Sequence, residues 1–259
     1  MRLIVYDVEV FAFDWIVVFK DVETGTHTVI HNDSEALREC LSDDGIYVGF
    51  NSKHYDQFII KAAANDFTPQ EIKQLNNFLI GGGRGWEYAP LKAFYFRFNN
   101  VDIRDDVQLG LSLKAIEGHM GMDIQETEVS FDLDRPLTED ELQQTVHYCK
   151  HDVDATHELM KLRADYLKTK KNLGKRAGID EVRSLAATNA KLTAMMLRAE
   201  RKEWDDGREY VYPENLDIAV IPKPVLDFFE TIHDMSIPDE VLFLSLIHIS
   251  EPTRPLYIS

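Results

Sequence analysis

The sequence predicts an α/β fold with a mixed central β-sheet flanked by helices, and three observations carry that reading. Leu3 to Tyr6 is a continuous apolar run, the pattern of a strand covered on both faces rather than one alternating between core and water. Phe13 to Phe19 and Thr26 to His31 read as two more strands, joined by Asp21-Val22-Glu23-Thr24-Gly25, whose residues suit a turn. The rest of the chain is mostly helical in its spacing, with Ile46-Tyr47-Val48-Gly49-Phe50 and Val101-Asp102-Ile103 as further buried strands.

In order, Ser34 can cap a short helix through Leu41, and the apolar spacing from Tyr55 to Ala64 is helical. Thr68-Pro69 starts another helix with proline at its first position, and the glycine run from Gly81 to Gly85 ends it. That run lacks phosphate-loop spacing and follows a helix, so it reads as a loop. Phe94, Phe96 and Phe98 alternate to one side and are expected in the core, with base stacking as the alternative. Ser112-Leu113-Lys114 opens an amphipathic helix toward Gly121. Thr138 and Glu141 then form a capping box, with Leu137 and Leu142 as hydrophobic staple, at the start of a long helix. Its apolar stripe is Leu142, Val146, Cys149, Val153 and Met160. Lys161 to Arg176 holds the basic stretch of an otherwise acidic chain and is expected to be a solvated helix end, phosphate contact being the alternative. Glu181 to Trp204 reads as one long helix. Ser245 to Arg254 resembles a translated sequencing adapter, so residues 244–259 are set apart from the fold.

With 259 residues, 44% of them apolar, the chain can bury a full core. No charged-then-apolar leader and no apolar run of bilayer length is present, which points to the cytoplasm. Cys40 and Cys149 are too few for a disulfide framework and read as two buried thiols. The net charge of −17 argues against wrapping duplex DNA by neutralising many phosphates. It leaves open a site that binds a strand end through divalent metals held by carboxylates.

Such carboxylates are at hand. Asp7 and Glu9 are two apart on the first strand and share one side at its carboxyl end, where open α/β sheets bind ligands. Two anions that close need a cation. Asn51, Tyr55 and Asp56 follow the strand ending at Phe50, and Tyr148 and Asp152 share one face of the long helix. His147 and His151 are also four apart, but no further Cys or His ligand accompanies them, so both are expected in solvent.

Asp7-x-Glu9, Asn51-x-x-x-Tyr55-Asp56 and Tyr148-x-x-x-Asp152 resemble the three motifs of the DEDD family of 3′-to-5′ exonucleases, in the version with tyrosine in the third. The Ser112-Leu113-Lys114 helix and Asp152-x-x-x-Thr156-x-x-Leu159 look like the proofreading domains of DNA polymerases, phage and prophage ones in particular, and the resemblance covers about Met1 to Tyr166. It implies an RNase H-like fold and hydrolysis of the 3′-terminal phosphodiester of single-stranded DNA to nucleoside monophosphates with two Mg²⁺ or Mn²⁺ ions. Asp7, Glu9, Asp56 and Asp152 would hold the metals, Tyr148 would orient the attacking water, and Asn51 and Tyr55 would hold the terminal nucleotide, Tyr55 being equally suited to packing. Val10 stands where the family often has a small residue, and His147 has the spacing of the family's histidine branch, so the third motif reads either way with Tyr148 favoured. The expected organisation is an exonuclease domain over 1–170 and a helical connection over 171–243, toward a polymerase domain outside this chain, in a bacterial or phage-infected cell. A stand-alone nuclease acting on RNA or DNA ends and a non-catalytic nucleic-acid-binding scaffold are the alternatives.

Overall fold

The computed structural model describes residues 2–41, 45–94, 96, 98–105, 107, 111–125, 127–199 and 218–232. The apolar run at the amino terminus becomes β1 (Leu3–Val10), the middle strand of a five-stranded sheet. β2 (Trp15–Asp21) and β3 (His27–His31) continue antiparallel on one side of it. β4 (Ile46–Gly49) and β5 (Asn100–Asp102) run parallel on the other, giving the order β3-β2-β1-β4-β5. The expected mixed sheet with flanking helices is present.

Pairing is uneven along β1. It pairs with β2 from Ile4 to Val10 but with β4 only from Leu3 to Val5. The stretch from Asp7 onward thus has one edge not taken up by β4, at the place where strand direction switches.

Strand alternation then separates two cores. Ile4, Tyr6, Val8 and Val10 face α2 (Asp56–Ala64) and α3 (Pro69–Ile80), whose buried residues include Ile59, Ile60, Ile72 and Leu75. Val5 and Phe11 face α5 (Glu139–Leu162), meeting Cys149, Val153, Leu159 and Met160. Phe98 stacks on Tyr47 with ring centroids 4.7 Å apart, and Phe96 packs against the first core, so these two rings belong to the core as expected, whereas Phe94 does not. Phe94 is partly exposed and meets Phe67, while Tyr95 and Arg97 lie outside the described residues.

The helix ends follow local chemistry. Capping boxes form at Thr68/Glu71 for α3 and at Thr138/Glu141 for α5, and Ser112 caps α4 (Leu113–Met120), which ends at Gly121 in the left-handed region with φ 69°. One cap differs from expectation. α1 (Ser34–Cys40) is capped by Asp33, whose side chain accepts from the Ala36 N–H at 2.9 Å, because a carboxylate one residue earlier reaches the same orphan donor. A five-residue 3₁₀ turn spans Ala89–Ala93.

Two expectations about the later helices are corrected. The helix expected from Glu181 to Trp204 is two short ones, α7 (Glu181–Ala186) and α8 (Asn189–Met196). Ala187 is extended, and the Thr188 hydroxyl starts α8 by accepting from the Lys191 N–H. Residues 200–204 lie outside the described residues. The basic stretch forms α6 (Ala164–Arg176) and is not uniformly solvated. Lys170 is 3% exposed, with its ammonium over the Tyr166 ring, and Arg163 donates to the carbonyls of Ile103 and Asp105. Gly174 lets α6 approach α7, since a Cβ there would sit 1.6 Å from Ser184 Oγ.

The first compact unit runs from Met1 to Ala199, and position 170, where a boundary was expected, lies within α6. In the second unit, Glu200–Ser259, the described residues form a 3₁₀ turn at Ile218–Val220 and α9 (Lys223–Ile232), with Lys223 paired to Asp227 at 2.9 Å. Residues 244–259 lie outside the described residues. Among the described residues no helix is long and apolar enough to cross a membrane.

Candidate active site

The unpaired edge of β1 is where the acidic groups gather. Asp7 and Glu9 project toward α5, and the Cys149 thiol of that helix donates to Asp7 Oδ2 at 3.5 Å. Asp56, the first residue of α2, is 4% exposed and its carboxylate accepts from its own N–H and from that of Val8, between the two β1 acids. Asp152 enters from α5 and takes a hydrogen bond from the Tyr148 hydroxyl four residues earlier. These acids line one open cleft of about 400 Å³ with Phe50, Asn51, Tyr55, Arg104 and residues 111–113. Three separated segments thus deliver four carboxylates to one place.

Electrostatics tie the four together. Burial pushes Asp7 well above the usual carboxylate range, and the charges of Asp56, Glu9 and Asp152 push it further. Glu9 rises to about 8 through burial and then Asp152 and Asp56, with Lys114 opposing. Asp56 rises to about 7, burial outweighing its two backbone hydrogen bonds. Asp152 rises to about 6, burial outweighing the Tyr148 hydrogen bond. Burial and the neighbouring acids also raise Tyr148, keeping it a neutral donor.

The two expected nucleotide contacts are engaged elsewhere. Asn51 has φ 61°, a left-handed conformation that asparagine tolerates; its N–H donates to Asp102 Oδ1 at 2.9 Å, and its Oδ1 accepts from Arg104 Nη1 at 2.6 Å. The Tyr55 hydroxyl donates to Asn76 Oδ1. Both residues line the cleft, yet the Asn51 side-chain oxygen and the Tyr55 hydroxyl are already hydrogen-bonded within the protein. His147 is exposed on α5 and lines a different hollow with Tyr148, Gln143 and Gln144. His151 is not solvated as expected: its Nε2 is buried and lies 3.6 Å from Glu117.

Three supporting residues were missed by sequence reasoning. Asp102, 4% exposed at the end of β5, accepts N–H bonds from Asn51, Lys53 and Arg104 and so pins the β4–α2 connection that carries Asp56. Lys114 on α4 lies with its ammonium 5.1 Å from the Tyr148 ring centroid. Glu117, one turn on, is 0% exposed with neither carboxylate oxygen hydrogen-bonded, and burial raises its pKa. The spacing of α4 alone reads these last two as a solvent face.

The donor set suits hard divalent cations. Four carboxylates converge, each raised by burial and by acidic neighbours, and Asp152 Oδ1 is buried without a hydrogen-bond partner. Asp7, Glu9 and Cys149 offer ligand atoms within 4.8 Å of one another, but burial and Asp7 raise the thiol far above its usual range, so it stays protonated.

No family model matches the chain, and no curated protein matches it. Among solved structures it is similar to the family B DNA polymerase from the hyperthermophilic archaeon Pyrobaculum calidifontis, with 16% sequence identity and a TM-score of 0.47. The likeness covers 76% of this chain, which spans 28% of the length of that polymerase.

Proposed function

We propose that the chain is a 3′-to-5′ exonuclease domain with an RNase H-like fold, the proofreading part of a DNA polymerase, acting on single-stranded DNA ends. The observation that carries this reading is the meeting of Asp7, Glu9, Asp56 and Asp152 in one cleft at the carboxyl end of the central strand. The expected position for a ligand in such a sheet is this switch point.

Asp7, Glu9, Asp56 and Asp152 would between them hold the Mg²⁺ or Mn²⁺ ions. When bound, the ions supply positive charge at the phosphate and make water acidic enough to attack it. The chain's own groups set the geometry. Val8 N–H fixes the Asp56 carboxylate between the β1 acids. The Tyr148 hydroxyl, held to Asp152, orients the attacking water from the α5 side. Phe50 and Leu113 give the cleft apolar walls against which a terminal base can lie, and Arg104 places a cation beside the same opening.

Release of nucleoside monophosphates from 3′-labelled single-stranded DNA tests the reading. The chain is expected to release them with Mg²⁺ but not with chelator, and Asp7→Ala to abolish release. Wild-type release by Asp7→Ala would sink the assignment. Competition with labelled RNA separates a stand-alone nuclease of broader substrate range, and metal-dependent turnover separates a non-catalytic scaffold.

In the same assay Tyr148→Phe is expected to be on the order of tenfold to a hundredfold slower, because the water loses its orienting hydroxyl but the carboxylates remain. His147→Ala should match wild type, since that side chain is exposed and, unlike Tyr148, is not among the groups acting on Asp152. The reverse outcome would assign the third motif to His147.

A further inference from the structure

A second cavity, of about 540 Å³, lies between the sheet and the end of α5, α6 and α7, and it shares no lining residue with the carboxylate cleft. The two sit at opposite ends of the same elements: Leu3 of β1 and Met160 of α5 line the cavity, Asp7 and Asp152 the cleft. Its volume falls in the range of small-molecule sites, roughly 300–1,000 Å³.

The walls are aliphatic, with Val48, Val101, Leu167 and Leu185 among them, and no Phe, Tyr or Trp among the described residues lines it. Among the described residues its polar lining is basic, His157, Lys161, Lys168 and Lys171, with no carboxylate. In a chain of net charge −17 that is a local reversal of sign. Lys161 and Lys171 are paired, to Glu158 and Glu181, while Lys168 is exposed and has no ion pair among the described residues. Independently of the lysines, His157 is 5% exposed and its Nδ1 is buried with no hydrogen-bond partner. A buried polar atom left without a partner is a cost that a ligand oxygen beside it would relieve.

We propose that this cavity binds a single-chain amphiphilic anion, an aliphatic carboxylate, with its chain among the aliphatic walls and its head group at the lysine rim. Lysine stems lying along an apolar opening with ammonium groups at its edge suit that division. A nucleotide fits less well, because a base edge needs several hydrogen-bond partners, whereas His157, one turn from Lys161 on α5, is the one polar side chain beside the lysines to meet a carboxylate head group.

Titration calorimetry of the full chain tests this with decanoate, with decyltrimethylammonium as the cation of the same chain length, and with dAMP as the nucleotide. Decanoate is expected to bind one to one and the cation and dAMP to show no binding. Ala164→Trp, at an exposed position whose larger ring would fill the mouth, should weaken decanoate about tenfold or more. Lys168→Ala, at a surface position that leaves the fold untouched, should weaken it several-fold, and circular dichroism checks both variants. No decanoate binding, equal binding of the cation, binding of dAMP in its place, or an affinity indifferent to Lys168→Ala would each overturn the proposal.

Discussion

Glu9→Gln is expected to cost on the order of a thousandfold in metal-dependent nucleotide release and, at the same time, to make the metal-free chain more stable. The two effects have one cause. Glu9 is held beside Asp152 and Asp56, out of water, so that its pKa is about 8. A metal repays that arrangement; without one the charge is a burden on the fold. The amide keeps shape and volume but removes the charge and a donor to the cation. Above neutral pH, with the four acids sharing the strain, the gain is about 2 kcal/mol, which raises Tm by roughly 4–8 °C in a domain of this size. Thermal melts in chelator, beside the release assay, provide the check. A variant that loses release and also melts earlier would mean that Glu9 acts as structural support, and the site reading would fail. This is the exchange of stability for function expected at a site built to bind what the bare protein lacks.

Much of the arrangement is legible in sequence because it rests on local rules. The apolar run Leu3 to Tyr6 specifies a covered strand, and period two alone puts Asp7 and Glu9 on one side of it. The Thr138/Glu141 box starts α5, and four-residue spacing brings Tyr148 and Asp152 together. What is not legible depends on how elements approach. Cys149 reads as one more apolar residue of a helix stripe, and only the packing of α5 across β1 sets its thiol against Asp7. Asp102 reads as the end of a short strand, whereas it is the acceptor that shapes the Asn51 turn from 51 residues away. Thr188 lies in a run of good helix formers, yet it caps α8, and the Ala186 carbonyl just before it accepts from Lys53 at 2.7 Å, a partner 133 residues away that the local sequence does not announce. Glu117 carries the residue type of a solvated face into a fully buried position.

The pH dependence of stability tests the same site without substrate. An acid whose pKa is higher folded than unfolded binds more protons in the native state, so stability falls as pH rises from the unfolded value toward the folded one. Asp152 at about 6, Asp56 at about 7, Glu9 at about 8 and Asp7, raised well above the usual carboxylate range by burial, all have this sign. The opposing groups titrate lower. Asp21 and Glu141, both lowered to about 2 by hydrogen bonds, add stability that is complete above their unfolded values near 4. His157, lowered by burial, adds stability that is lost as pH falls below about 6.5. The informative window is therefore pH 6.5 to 8.5, where the metal-free chain is expected to lose about 2 kcal/mol, or roughly 4–8 °C in Tm. Mg²⁺ should reverse the slope, since it binds the ionised carboxylates and holds the native state by about 2.7 kcal/mol at a hundred times its dissociation constant. In Asp7→Asn, with one ligand gone, Mg²⁺ should restore much less. A metal-free chain equally stable across the window would show the four acids to be compensated from within the protein, and a slope that Mg²⁺ leaves unchanged would show that they do not form a cation site.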